Sequence, residues 1–319
     1  MRKSSFFKIG DIQIVVLLFL LVGLFLLMSF LTRGKLLEFQ SLQAVAFQLP
    51  LLGLLTLAQM GPMVSGGIDL SIIATANLVS IIMALSMTRF FPSLHAPFAI
   101  LLGLLLALLL GVVKGFFVAL VSVPAIIATL GLMIFIRGVS LVITRGYVIA
   151  GFPVDFLFIG NGTVLGIPTS FLVFAAFTIF MYILFSRTRF GLELYLFGSN
   201  PVATLFSGVD NRKVVFRTYL LSSFLAGVAS CVMASRFNAA QADYGESYLL
   251  LTVLACVLGG VSPSGGSGRV MGIVISVAIL QVVATGFNLL GFSSHLASAL
   301  WGTILLGVVL LNRLFLGKN

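Results

Sequence analysis

Residues 61–71, GPMVSGGIDLS, place an aspartate, two serines and a pair of glycines between two long apolar runs. An ionised aspartate at the centre of a bilayer costs about 2.5–3.5 kcal/mol. Since the amide groups at a helix start favour a carboxylate, Asp69 is predicted to cap a helix or lie in its first turn, near membrane-surface water. The second interpretation, less favoured, places Asp69, Ser71 and Asn77 in a pathway for a polar solute.

A second glycine-rich stretch, GGVSPSGGSGR at residues 259–269, has the composition of a phosphate loop but lacks its pattern. A Walker A loop requires G-x-x-x-x-G-K-[ST] between a strand and a helix, and no lysine follows these glycines. We therefore predict a break between two helices, with no nucleotide-hydrolysing site in this chain.

Motifs for catalysis and metal binding are missing from the sequence. It contains no HExxH, no GxSxG and no pair of helix-centred carboxylates, and Cys231 and Cys256 have no partners at metal-ligand spacing. We predict no catalytic residue, no metal site and no bound cofactor. Ion-coupled carriers usually hold carboxylates or histidines inside the membrane, and here Asp69 and Glu246 alone come close.

The composition indicates a membrane protein. Of 319 residues, 60% are hydrophobic and 8% are charged, whereas soluble domains carry roughly 25% charged residues. The continuous apolar runs near twenty residues predict an all-α, polytopic helix bundle. The net charge of +10 is attributed to cytoplasmic loops under the positive-inside rule, and no basic stripe interleaved with aromatic residues predicts nucleic-acid binding.

Ten membrane helices are predicted in one domain, 1–319. An even number puts both termini on one side, and the basic residues at both termini and in the loop 187–214 make that side the cytoplasm. Lys114 and Arg269 are predicted on the same side. The helices are placed at 12–31, 44–63, 69–87, 97–118, 124–143, 168–186, 215–235, 247–260, 269–289 and 295–312.

The loop 187–214 contains a predicted short helix. Asn200 is the expected N-cap, Pro201 occupies the first helical position, and Gly208 stops the helix. The segment between them clusters its apolar residues on one side. A short capped amphipathic helix in a loop favours docking to a partner over a role as a linker.

A weak internal repeat relates the two glycine-rich stretches. Segments 51–71 and 249–268 each run from an apolar helix into a Gly/Ser-rich break, which is typical of a transport pathway. Buried amides such as Gln59 and Gln281 are expected to form hydrogen bonds between helices. Arg137 is predicted to extend to the membrane surface or to pair with Asp155. The outer loop 144–167 is predicted to be irregular.

Four blocks of sequence resemble the permease subunits of carbohydrate ABC importers of the ribose-type branch, and the resemblance continues along nearly the whole chain. SGGIDLS at 65–71 is similar to the signature of that family. The other blocks are VPAIIATLGLMIFIRGVSLVIT (123–144), RTRFGLELYLFGSNPVATLFSGVD (187–210) and LACVLGGVSPSGGSGRVMG (254–272).

The resemblance implies a ten-helix importer permease fold in a bacterial inner membrane. It implies a second permease chain, cytoplasmic ABC ATPase subunits that bind the ATP, and a periplasmic or extracellular solute-binding protein that delivers a sugar or sugar-like solute. The outer loops near 144–167 and 236–247, with Arg236, Asp243 and Glu246, are expected to meet that binding protein.

The resemblance also assigns two groups of residues. One group would couple the chain to the ATPase: Gly198, Ser199, Asn200, Pro201, Ala203, Ser207, Gly208 and Asp210. The second would shape the breaks and the pathway: Gly66, Gly67, Asp69, Ser71, Asn77, Gly259, Gly260, Gly265 and Gly266.

The chain departs from the family pattern at two places. Ile72, Ile73 and Ala74 replace the usual V-G-S, and Lys114 stands where an asparagine commonly precedes Gly115. If these positions line the pathway, solute preference would differ from that for pentoses. The alternative function is a stand-alone secondary carrier or channel for a small polar solute.

Overall fold

The computed structural model describes residues 5–90 and 96–292, together with positions 296, 299, 302 and 303. These residues form twelve α-helices and four two-residue strands. A 3-10 turn covers Lys35–Leu37, and π-helical turns follow α3 at Ser86–Phe90 and α4 at Phe116–Leu120. The helices are α1 (Ser5–Leu31), α2 (Phe39–Val64), α3 (Ile72–Leu85), α4 (Ala96–Gly115), α5 (Ala125–Thr144), α6 (Val154–Asn161), α7 (Thr169–Arg187), α8 (Arg189–Ser199), α9 (Pro201–Phe206), α10 (Asn211–Phe237), α11 (Tyr248–Leu258) and α12 (Val270–Leu289).

The predicted all-α, polytopic bundle is confirmed. Within the described residues, eight helices are long and apolar enough to cross a membrane: α1, α2, α3 with its π turn, α4 with its π turn, α5, α7, α10 and α12. The predicted tenth helix, 295–312, lies outside the described residues apart from isolated positions.

The predicted span at 247–260 is shorter in the structure. Helix α11 has 11 residues, which corresponds to a length of about 16 Å, or half of a typical 30 Å hydrocarbon core. The chain then turns through the second glycine-rich break and crosses the membrane again as α12. The break therefore lies at the end of a half-length helix.

The core of the bundle is built from α2, α3, α10 and α12, which are largely buried, while α1, α4, α5 and α7 expose apolar side chains. Gly103, Ala107 and Gly111 form a small-residue stripe on the buried face of α4. A Cβ on Gly111 would lie 2.9 Å from the Cα of Leu220. Since small residues allow close approach of helices, α4 packs directly against α10.

One end of the bundle is covered by a folded cap, although the loop 144–167 was predicted to be irregular. Strand β1 (Ile149–Ala150) pairs antiparallel with β4 (Ala239–Ala240), and β2 (Thr163–Val164) pairs with β3 (Ile167–Pro168). Helix α6 lies between β1 and β2 in the sequence. It is held against α10 by a hydrogen bond from the Gly160 N–H to Ser235 Oγ at 2.7 Å. We call this end the cap end. The opposite end holds both breaks, α8 and α9.

Candidate functional site

The two breaks and the end of α8 meet backbone to backbone. The Gly266 N–H donates to the Val64 carbonyl at 2.9 Å. A Cβ on Gly265 would lie 2.8 Å from the Gly198 carbonyl oxygen and 2.9 Å from the Gly66 nitrogen. We call Val64–Gly67, Gly198–Ser199 and Gly265–Gly266 the glycine junction, and the end that contains it the junction end.

Glycine is required in this junction for two separate reasons. Gly66, Gly265 and Gly266 adopt φ values of 80°, 90° and 75°, a left-handed conformation that side chains disfavour. Gly198 has ordinary helical geometry, but a Cβ there would collide with the Val64 carbonyl oxygen and lie 2.5 Å from the Gly266 nitrogen. The close approach of three segments therefore depends on their lacking side chains.

Tyr195, on α8, adds a side-chain link to the second break. Its hydroxyl donates to the Gly268 carbonyl at 2.7 Å. Burial raises the pKa of Tyr195 to about 12, although the charge of Arg269 opposes the rise. The hydroxyl consequently stays protonated at physiological pH and keeps its role as a donor.

The short helix α9 has the predicted cap, first residue and stop. Asn200 Oδ1 accepts hydrogen bonds from the Val202 and Ala203 amides at 3.1 and 3.0 Å, and Pro201 is the first helical residue. Gly208 follows with a φ of 78°. The apolar side chains of α9 are exposed, with Phe206 reaching 87%.

The remaining residues assigned to coupling form local contacts around α9. Ser207 Oγ donates to the Ala203 carbonyl at 2.9 Å. Asp210 caps α10 by accepting from the Lys213 amide at 3.1 Å, and hydrogen bonds from Lys213 hold the pKa of Asp210 below its usual value. Ser199 ends α8 against Gly266. The structure thus joins α9 to the junction through two consecutive residues, Gly198 and Ser199.

The prediction that Asp69 caps or begins a helix is wrong. Helix α3 begins at Ile72, and Asp69 Oδ1 instead accepts from the amide and the hydroxyl of Ser71 at 2.9 and 2.6 Å. Water does not lower the cost of its charge either, because the side chain is fully buried. The buried negative charge of Asp69 is instead balanced by a cation.

Lys114 on α4 supplies that cation. Its Nζ lies 3.0 Å from Asp69 Oδ2, and both side chains have 0% exposure. Ser222 on α10 also donates to Asp69 Oδ2, at 3.2 Å. Lys114 was predicted among the charges of the cytoplasmic side, but it lies buried inside the bundle. The signal for this pair in the sequence was a lysine in an apolar helix and a carboxylate in a neighbouring apolar region.

Asn77, assigned to the pathway, connects α3 to the segment that follows α10. Its Nδ2 donates to the carbonyls of Ala242 and Tyr244 at 2.8 and 2.9 Å. Among the other amides, Gln281 Nε2 donates to Gln48 Oε1 at 2.8 Å, as expected for a bond between helices. Gln59 is buried without a side-chain hydrogen bond to any described residue.

Arg137 does not pair with Asp155. It binds Asp243 and Glu246, which lie in the segment between α10 and α11, at 3.0 and 2.9 Å. Arg236 at the end of α10 lies over the ring of Phe47, 4.7 Å from its centroid.

The other glycines of the two breaks, Gly67, Gly259 and Gly260, contact neighbouring helices. A Cβ on Gly67 would lie 2.8 Å from both the Tyr219 hydroxyl and the Ala125 Cβ. Gly259 lies against Gly272 of α12, and Gly260 contacts the Gln13 side chain of α1. Each break is therefore enclosed by helices on several sides, and it is held as an ordered turn.

A family model described as "Branched-chain amino acid transport system / permease component" matches residues 41–311. The ribose import permease protein of Bacillus subtilis (strain 168) is 34% identical over 296 residues, covering 92% of this chain and 91% of that protein. The autoinducer 2 import system permease proteins of Enterobacter sp. (strain 638) and Escherichia coli (strain K12) are 32% and 30% identical, covering 80% and 81% of this chain and 79% of each relative. No solved structure matches the chain.

The family model covers most of the chain, and the relatives are similar along most of their own length. Their shared role agrees with a bundle of apolar helices interrupted by two ordered glycine breaks at one end. The chain belongs to this family of permease components and is a multi-pass, transmembrane permease subunit of an ABC importer.

Proposed function

We propose that the chain carries a sugar or sugar-like solute across a bacterial inner membrane, driven by ABC ATPase subunits that dock on α9. The observation that carries this proposal is the glycine junction, which connects an exposed capped helix to both breaks. The substrate class is supported by the roles of the relatives, ribose import and autoinducer 2 import. In this proposal ATP binds to the partner, and this chain needs no cofactor of its own.

The surface of α9 suits a protein partner. Val202, Leu205 and Phe206 are all more than half exposed on a helix of six residues. Amphipathic helices of this kind bind by placing their apolar face in a groove. The cap by Asn200 fixes the helix without the partner, so docking costs little ordering entropy. An ATPase bound to α9 agrees with the proposed orientation, in which both termini are cytoplasmic.

Movement of α9 would be transmitted through the junction. Gly198 and Ser199 end α8, one residue before α9, and touch the ends of both breaks without an intervening side chain. Because closely packed contacts do not compress, closure of the ATPase pair would displace the junction ends of α2 and α12. The expected result is a change in access to the pathway at this end.

The cap end is proposed to receive the binding protein. It presents exposed apolar side chains, among them Tyr147, Val154 and Leu165. A second permease chain is proposed to pack beside this one in the membrane. Together these partners complete an importer in which this chain is the translocating subunit.

Co-purification tests the docking proposal. Phe206→Glu adds a charge to the exposed face of α9 and changes no buried contact, so we expect it to remove the ATPase from the purified complex. Leu165→Glu, at a 98% exposed site on the cap end, is the matched control and should retain the ATPase. Mass spectrometry of the tagged chain from mild detergent measures both.

Two results would contradict the proposal. Equal recovery of the ATPase with both variants would remove α9 as the docking site. Recovery of the unmodified chain without any ATPase, with uptake that survives ATP depletion, would favour the stand-alone carrier and would make Asp69 the leading candidate for ion coupling.

A further inference from the structure

A charged cluster links the membrane-spanning helix α5 to the segment between α10 and α11. Arg137 Nε donates to Asp243 Oδ1 at 3.0 Å, and its Nη2 donates to Glu246 Oε1 at 2.9 Å. Their side chains are between 38% and 51% exposed. One guanidinium and two carboxylates leave the cluster with one excess negative charge.

The depth of Arg137 decides what this cluster faces. Helix α5 runs from Ala125 to Thr144, so Arg137 lies about 18 Å from its beginning and about 10 Å from its end. Charged side chains at such depths face water-filled cavities or protein rather than lipid, because exposure to hydrocarbon is costly. Because Arg137 is half exposed as well as paired, this face of α5 suits a polar space better than lipid.

A cavity of about 390 Å³ lies beside the cluster, between α3, α5 and the beginning of α11. This volume is at the lower end of the range of roughly 300–1,000 Å³ for small-molecule sites, which suits a monosaccharide better than a longer sugar. Polar and apolar side chains share the lining: Asn77, Arg137, Glu246, Ile73, Met133 and Leu249.

Asn77, which lines this cavity, holds a buried acceptor that no donor satisfies. Its side chain is 1% exposed, and both N–H bonds of its amide are directed at the carbonyls of Ala242 and Tyr244. The orientation of the amide is thereby fixed. Its Oδ1 accepts no hydrogen bond from any described residue, and a buried acceptor without a donor is unfavourable. The Oδ1 atom is itself buried, so a local shift of the cavity wall would let a hydroxyl group of a bound solute supply the donor.

Resting on the proposed function, we propose that this cavity binds one uncharged, polyhydroxylated solute of monosaccharide size during its passage. Asn77 Oδ1 and the Glu246 carboxylate accept hydrogen bonds from its hydroxyl groups, and Arg137 donates to its oxygens. Ile73, Met133 and Leu249 contact its C–H surfaces. Asp243 is a positioning residue that holds the guanidinium, and the excess negative charge disfavours phosphorylated sugars.

Accessibility of the cavity provides the first test. Ile134 also lines the cavity, and the native cysteines, Cys231 and Cys256, are buried. In the purified complex, the Ile134→Cys thiol should react with a water-soluble maleimide. D-ribose, D-glucose or D-galactose should slow that reaction, whereas ribose 5-phosphate should not. An unreactive thiol, or labelling unaffected by all three neutral sugars, would overturn the proposal.

Removal of one negative charge provides the second test. In cells that express the full importer, Glu246→Gln should lower uptake of the radiolabelled neutral sugar that protects best by about tenfold, the cost of weakening a charged hydrogen bond. Glu38→Gln removes the same charge at an exposed residue before α2 and should leave uptake unchanged. The ATPase should co-purify with both variants.

The outcomes separate this inference from the proposed function. If Glu246→Gln transports within about twofold of the unmodified chain, the site assignment is wrong while the ATPase-driven importer stands. If the unmodified chain yields no ATPase, the proposed function fails instead. Should Glu246→Gln fail to accumulate, protection of the Ile134→Cys thiol still decides the question.

Discussion

Lys114→Met should destabilise the folded chain by about 3–5 kcal/mol, the cost of removing one partner from a buried ion pair. Asp69 would keep its hydrogen bonds from Ser71 and Ser222 but lose the only cation the structure places within salt-bridge distance of it among the described residues. Since methionine has a similar length, the loss would come from the charge and not from a cavity. The midpoint of thermal unfolding in detergent measures the effect.

The double variant Asp69→Asn/Lys114→Met distinguishes a missing charge from a missing side chain. An asparagine keeps the Oδ1 acceptor for Ser71, and neutral replacement of a buried pair is often tolerated. We expect the double variant to recover most of the stability that Lys114→Met loses. Lys35→Met, at an exposed lysine, should change little. Equal stability of Lys114→Met and the unmodified chain would show that the pair has no structural role.

Gly198→Ala should uncouple ATP hydrolysis from transport. The added methyl group would collide with the Val64 carbonyl and lie 2.5 Å from the Gly266 nitrogen, so α8 must move away from both breaks. Overpacking of this kind costs about 1–3 kcal/mol. The exposed surface of α9 is unchanged, and the ATPase should therefore still bind.

The measurement compares uptake with ATP hydrolysis in the same preparation. We expect Gly198→Ala to lose about tenfold in uptake, the equivalent of roughly 1.4 kcal/mol, while the co-purified ATPase remains active. Gly23→Ala on α1, where a Cβ meets nothing within 4 Å, is the matched control. Uptake equal to that of the control would exclude the junction from coupling.

Features set by neighbouring residues could be predicted from the sequence. Asn200, Pro201 and Gly208 form a cap, a first turn and a stop within nine positions, so local chemistry determines α9. Long apolar runs likewise placed the eight spans that the described residues contain, because a bilayer selects for length and hydropathy. Hydropathy alone did not separate a half-length helix followed by a break from a full crossing.

Features set by distant residues could not be predicted. Lys114 and Asp69 are 45 positions apart, and Arg137 and Asp243 are 106 positions apart. Periodicity shows which face of a helix is buried, but it does not show which neighbour that face meets. The glycine junction could not be predicted for the same reason. Each break was recognisable in the sequence, but its contact with Gly198 depends on how α8 packs.

The most direct test of the account is uptake of a radiolabelled sugar into proteoliposomes that hold this chain with its co-purified ATPase. We expect accumulation only when ATP is present on the side that exposes α9 and the solute-binding protein is on the cap side. An ion gradient alone should drive none. Accumulation that follows an ion gradient and ignores ATP would contradict the account and identify a secondary carrier.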